Sequence, residues 1–479
     1  MTHHQRDQPN TFAPHALGCE SNIMTLEKSM ETIPDRAGLA VRSLTGKGRV
    51  HLCNARIPVA LMAGQGPERG VSDRDGALLV DLLVQDDAIA DIAPAGVLAV
   101  DGGVQVVDLE GRHVWPLLLD VHAHLDKGHM VDRAPDSGGT HAGARAATTA
   151  DRLAHWSRED VAARMEFGLE TAYAHGVAAI RTHLDSHEGQ AHITWAAYQK
   201  AAERWSSRIA LQAVALVPLD VYASGHGRDL ADLVADGDGL MGGVTRASGG
   251  THGGLDDMEG LLDILFRLAS GRGLDIDLHV DESATGDSLP AIARATMRYG
   301  YEGRVTCGHC CSLALLEEET LAERLALLAQ AGINIVTLPT VNMYLQDRQQ
   351  LRTPRWRGVT PVKELRAAGI RVSVAGDNCR DTFYAYGDHD MLDTWRQAVK
   401  ILHLDHPHGD AATLAATVPA AMMGQEAGLI AVGRKADLMI LNAWTMSQVL
   451  ARPQSDRSII RRGASANVAP PSYQLLGQA

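Results

Sequence analysis

No run of apolar residues in the chain is long enough to cross a bilayer or to form the core of a secretory signal, so neither membrane insertion nor export is expected. Concentrated positive charge is also missing. The formal net charge is −14, and no basic stretch overrides that sign, which argues against a nucleic acid polymer as partner. Cysteine is sparse, at six, and the bunched Cys307, Cys310 and Cys311 do not form a disulfide framework; this usage suits a reducing compartment. Aromatic residues amount to only 4%, and the polar opening segment is broken by Pro9, Pro14 and Pro34. The expectation is a cytoplasmic protein with a disordered N-terminal arm over residues 1–46.

Hydrophobic residues (45%) and charged residues (21%) are in ordinary globular balance. With 479 residues the chain exceeds the roughly 250–300 at which one core stops growing, so a large domain and a smaller one are expected. Short apolar runs with turn-forming Gly and Asp between them, at Arg49 to Ala63 and Ala77 to Pro94, read as strands. The pattern returns near the end, in Asp437-Leu-Met-Ile-Leu-Asn442, so residues 47–111 and 426–479 are expected to combine into a small flanking β-sandwich.

Residues 112–425 alternate short β-like runs with segments of helical period, the signature of parallel strands joined by crossover helices. Eight strands are expected to end near His124, Asp185, Gln212 to Ala215, Val244, His279, His309, Leu338 and Asp377. Helical segments run from Ser157 to His175, Thr194 to Trp205, Met258 to Gly271, Leu289 to Tyr299, Leu313 to Ala331, Thr360 to Ala368 and His389 to Leu402. The fold class is therefore α/β, a (β/α)8 TIM barrel, whose active sites gather at the C-terminal ends of the strands. Polar residues crowd those ends here, where packing alone would call for branched apolar side chains.

His122-Ala-His124 places two imidazoles on one strand face, able to bind a divalent cation through neutral nitrogens. In a chain with 22 histidines such a pair also arises by chance. His279 closes the fifth strand, and Asp377 closes the eighth after an apolar run, although a helix N-cap is the competing role for that aspartate. Three nitrogens, one carboxylate and a water describe a catalytic site for one divalent ion, Zn2+ or Fe2+, that lowers the pKa of the water towards about 7.

Several stretches now resemble the amidohydrolase superfamily, and within it the cytosine deaminase group. They are Leu119-Asp-Val-His-Ala-His-Leu-Asp-Lys127, Arg181-Thr-His-Leu-Asp185, His279-Val-Asp-Glu282, His309, Pro339-Thr-Val-Asn342, Arg357-Gly-Val-Thr-Pro-Val-Lys363 and Asp377. The resemblance implies His122, His124, His279 and Asp377 as metal ligands and Glu282 as proton shuttle between water, ring nitrogen and leaving ammonia. It implies that His309 orients the nucleophile, that Asp377 shares the proton transfer, and that His183 and Asp185 act behind the ligands. Gln212, with a donor and an acceptor on one carboxamide, would read the amide edge of a pyrimidine, and Glu282 and His309 would also touch the substrate.

Binuclear relatives bridge two metals with a lysine on the fourth strand, and none lies at Gln212 to Val217 or Gly239 to Thr245, so a single metal is expected. Cys307-Gly-His-Cys-Cys311 lacks the proline and second pair of a zinc deaminase motif and reads as buried thiols. Asn378 and Phe383 stand where the cytosine group carries an aspartate and a tryptophan that line the substrate pocket, and Asp377-Asn378 also resembles enzymes that remove alkylamines from triazines. The function expected is hydrolytic deamination of a small cyclic amidine base, cytosine to uracil and ammonia first. The alternatives are an s-triazine, creatinine-like or purine base, a cyclic amide, or a non-catalytic metal-binding scaffold. The partner is thus a small heterocycle, and family habit implies a homo-oligomer.

Overall fold

The computed structural model describes residues 35–63, 71–99, 102–250, 254–406 and 408–478. Most of the expected disordered arm, residues 1–34, lies outside them. Its last residues are ordered instead: Arg36–Arg42 is a short helix, and Val41 and Leu44 are buried. These two side chains supply apolar area to the flanking core, which a disordered arm would leave in water.

Four strands come first: β1 (Arg49–Pro58), β2 (Ala77–Gln85), β3 (Ala88–Pro94) and β4 (Gln105–Asp108), in the sheet order β3-β2-β1-β4. The two-residue turn between β2 and β3 is Asp86-Asp87, and Asp86 takes φ 53°, the left-handed geometry that tight hairpins require. Next, β5 (Val114–Pro116) leaves this sheet for another and pairs with a strand near the end of the chain. The parallel series therefore starts a few residues later than the expected boundary at residue 112.

That series is β6 (Leu118–Ala123), β7 (Val177–Asp185), β8 (Ala210–Leu216), β9 (Met241–Val244), β10 (Ile276–Val280), β11 (Val305–His309), β12 (Asn334–Thr337) and β13 (Val372–Val374). Strands β6 to β8 form one parallel sheet and β9 to β13 another. Isolated parallel bridges join the two at both edges: Val214 to Leu240 and Pro218 to Val244 on one side, Ala123 to Asp377 on the other. Finally β14 (Leu438–Ile440), β15 (Ser458–Arg461) and β16 (Ala464–Ser465) form the sheet β16-β15-β14-β5. Ile57 and Leu82 of the first small sheet share one apolar cluster with Val114, Leu438 and Ile460 of the second.

Alternation on a strand decides what faces the helices. In β10, Ile276, Leu278 and Val280 belong to the large cluster shared with helix residues such as Ile292 and Leu265, so Asp277 and His279 point the other way. Among the described residues no helix is long and apolar enough to cross a membrane. Every helix expected from periodicity is present, for example Arg158–Ala174, Ala191–Trp205 and Met391–Ile401. Further helices were not expected, among them Gly225–Asp236 and His141–His155, and in the latter the conspicuous stripe is polar rather than apolar.

Candidate metal centre and active site

His122 and His124 leave the end of β6, His279 lies in β10, and Asp377 follows β13; one ligand atom from each lies within 4.8 Å of the others. His124 Nε2 is 3.1 Å from Asp377 Oδ1, His122 Nε2 is 3.6 Å from the same oxygen, and the Nε2 atoms of His279 and His124 are 3.3 Å apart. Two donors bound to one tetrahedral ion at about 2.0–2.1 Å would stand at about that last separation. The backbone fixes the set, since Asp377 N donates to His122 O at 2.7 Å. Asp377 takes φ 63°, a left-handed turn that aims the carboxylate back at the histidines. Gly308 on β11 leaves space for the His122 ring, because a Cβ there would come within 2.9 Å of it.

All four side chains are buried, and several of their atoms have no hydrogen bond: both oxygens of Asp377, both nitrogens of His122, and Nδ1 of His124 and of His279. Burial holds the three imidazoles well below their usual pKa, so they are neutral and able to donate lone pairs. Burial likewise drives the Asp377 carboxyl well above its usual range, and the nearby Glu282 adds to the effect. The Asp377 oxygens and His122 Nε2, buried without partners beside the facing Nε2 atoms of His124 and His279, are costly unless a cation satisfies them, and the donor set fits Zn2+ or Fe2+.

Glu282 follows β10, with Oε1 3.0 Å from His141 Nε2 and 3.7 Å from His309 Nδ1. Gln346 Nε2 donates to its backbone carbonyl at 3.1 Å and so fixes the turn. His309 ends β11 at φ 69°. The Asn342 carboxamide nitrogen, 2.9 Å from His309 Nδ1, can only donate there, so the neutral ring carries its hydrogen on Nε2, an atom with no hydrogen-bond partner. Glu282, His141 and His309 line one cavity of about 760 Å3, which also reaches His124, His279, Asp377, Asn378 and Phe383. The expected pocket positions Asn378 and Phe383 are thus beside the centre; the Asn378 amide donates to Asp381 at 2.7 Å.

Gln212 is a correction. It was expected at a strand end against the substrate, but β8 runs on to Leu216, which leaves Gln212 four residues short of the end. Its Oε1 accepts from Arg181 at 3.1 Å and its Nε2 donates to Met423 O at 3.0 Å, so the carboxamide is spent on structure. His183 packs against His122 with ring centroids 3.9 Å apart, whereas Asp185, expected behind the ligands, lines the cavity and accepts from Lys127 Nζ at 2.8 Å. Cys307, Cys310 and Cys311 are buried thiols. Sequence reasoning missed His141, Arg145, Arg152, His187 and Arg246 in the cavity wall. Positions 141, 145, 148 and 152 recur at helical spacing, so a search for polar as well as apolar periodicity would have found this face.

Parallel strands whose ends gather three neutral imidazoles, an orphaned aspartate and a nearby glutamate define a metal-dependent hydrolase. The model of the amidohydrolase family matches residues 146–465, and the chain belongs to that family, as a hydrolase of carbon–nitrogen bonds. It is 46% identical to a pterin deaminase of Rhizobium rhizogenes over 89% of this chain and 96% of that protein. Its fold is similar to 5-methylcytosine deaminase of Klebsiella pneumoniae, with TM-score 0.73 and 24% identity over 87% of this chain and 97% of that one. It is also similar to N-isopropylammelide isopropylaminohydrolase of Burkholderia multivorans, with TM-score 0.68 and 26% identity over 87% and 98% of the two chains.

Proposed function

We propose that this protein hydrolytically deaminates a heterocyclic base, with a pterin ring as the preferred substrate and cytosine as the smaller alternative. The observation that carries the reading is one cavity in which the orphaned His122, His124, His279 and Asp377 set meets Glu282 and His309. Support for the bicyclic ring comes from the pterin deaminase relative, 46% identical over 89% of the chain, and from a cavity of about 760 Å3, more than a single pyrimidine fills. Arg145 and Arg246 in the outer wall suit a polar or anionic substituent on that ring.

The four ligands hold one Zn2+ or Fe2+, since no lysine stands on β8 or β9 to bridge a second ion. When bound, the ion lowers the pKa of a water to about 7 and so supplies a nucleophile at neutral pH. Glu282 takes one proton of the water and delivers it to the ring nitrogen of the amidine, then carries the second from the added hydroxyl to the departing amine, so that the carbonyl forms and ammonia leaves. Its 3.0 Å contact with His141 keeps the carboxylate aimed into the cavity. His309, with hydrogen on Nε2, donates to the oxygen that attacks, and Asn342 fixes that tautomer. Asn378 and Phe383 form the wall against which the ring lies. The same reading takes β6 to β13 as a closed (β/α)8 barrel and the two small sheets as one β-sandwich beside it.

The test is release of ammonia from pterin and cytosine, and of isopropylamine from N-isopropylammelide, by protein reconstituted with Zn2+ or with Fe2+. Pterin is expected to give the highest kcat/KM. Cytosine turned over faster than pterin would replace the ring, and no ammonia from any cyclic amidine would remove the deaminase reading altogether.

A further inference from the structure

The segments that follow β6 and β13 carry a second set of ligand atoms beyond the first. His129 Nε2 and His389 Nε2 face each other at 3.2 Å, and Cys379 offers its sulfur within 4.8 Å of both. All three residues are buried. Two neutral imidazoles can share only one hydrogen across such a gap, and His129 Nδ1 has no hydrogen-bond partner. The separation nearly equals the 3.3 Å between His124 and His279 in the first centre, the spacing of two nitrogens on one tetrahedral ion.

Several features build this set rather than merely permit it. His129 N donates to Cys379 O at 3.1 Å and Val131 N to Arg380 O at 3.0 Å, so the two segments are laced together at the ligands. His129 and His389 both take left-handed backbone, φ 62° and 50°, a conformation seldom adopted without cause away from glycine. Gly168 leaves the approach open, since a Cβ there would stand 3.1 Å from His389 Nε2. On one side the Phe167 ring abuts His129 at 4.6 Å and stacks on Tyr473 at 5.7 Å, and the Tyr473 hydroxyl donates to Asp388 at 2.6 Å. On the other, Cys379 and His389 line a separate cavity of about 390 Å3, whose wall includes Asp388, Asp390 and Asp393.

We propose that His129, Cys379 and His389 bind a second transition-metal ion, of the zinc class, that clamps the segment after β6 to the segment after β13. One sulfur and two imidazoles select a thiophilic ion over Mg2+ or Ca2+, which prefer oxygen. Three protein ligands leave a fourth position for water. The ion fixes Cys379, two residues from Asp377, and so steadies the first centre without touching substrate.

Full-length protein stripped of metal and titrated with Co2+ tests this, because the first centre contains no sulfur ligand and only the second can give a thiolate-to-cobalt charge-transfer band in the near ultraviolet. The expected result is a band that saturates with about one equivalent per chain, and total binding of about two equivalents. Cys379→Ser is expected to abolish the band and remove one equivalent, and His389→Gln to weaken both. A wild-type titration without the band overturns the proposal, as does a band that persists in Cys379→Ser; if the variant fails to fold, the wild-type spectrum decides. Loss of the deaminase reading would leave this outcome untouched, since no turnover is measured.

Discussion

At the ends of the parallel strands, buried polar atoms face open space; further back along the same strands, they face one another. The Asp377 oxygens and His309 Nε2 lack hydrogen-bond partners beside the cavity, and the His122 nitrogens lack them within the ligand cluster. Arg181, by contrast, donates to Asp277 at 2.8 Å, to Gln212 at 3.1 Å and to Met422 O at 2.8 Å, while Gln212 donates to Met423 O. Asp277 and Arg181 are as buried as the strand-end groups, so burial does not separate the two regions. Pairing does. A native fold leaves few buried polar atoms unsatisfied, and those it does leave are reserved for something from outside. His183 stands between the two regions, with neither ring nitrogen hydrogen-bonded and Asp277 at 3.8 Å.

The contrast predicts that substitutions at the strand ends change turnover and those further back change stability. Glu282→Gln should lower kcat by about 10²–10⁴-fold, the usual worth of a general acid–base group, with metal content unchanged. Retained turnover would erase the distinction. Asp277→Ala leaves the Arg181 guanidinium buried and without its carboxylate, and should cost about 3–5 kcal/mol of unfolding free energy in urea, with the metal per folded chain unaltered. Gln212→Met should cost less, about 1–3 kcal/mol, because it strands one carbonyl and one side of a guanidinium. Its kcat/KM should stay near wild type; a large loss would return Gln212 to the substrate.

The smallest effect belongs to His141, at the border between the two behaviours. Burial opposes its protonation, but the Glu282 carboxylate outweighs burial and raises its pKa above the usual 6.5. A raised folded pKa stabilises fully below the unfolded value and fades as pH rises through the folded one. The gap in melting temperature between wild type and His141→Phe should therefore be widest near pH 6 and close by pH 9. A gap that widens with pH would show that the pair with Glu282 is not ionic.

The four candidate ligands were legible as a cluster because strand periodicity and metal chemistry agree on them: His122 and His124 sit two apart, and His279 and Asp377 each lie at or just past a strand end. Gln212 misled because the pattern Gln212-Ala-Val-Ala does not say where a strand stops, and four further residues carry β8 past it. His141 was out of reach for another reason. It meets Glu282 across 141 positions of chain, and nothing local to Thr140-His141-Ala142 marks that contact. The flanking strands β4, β15 and β16 are four residues long or fewer, too short for alternation to stand out.

Asp377 bridges to Ala123 where the last parallel strand meets the first, and His122 and His124 extend from that first strand. A cation held by all three therefore rivets the beginning of the series to its end, and its binding energy counts towards folding as much as towards chemistry. Protein deprived of the ion should fray along this seam before anywhere else, with amide exchange quickening around residues 118–124 and 372–377 while the flanking sheets stay protected. Loss of the rivet would then be felt as heat sensitivity even in a sample that is never asked to turn over.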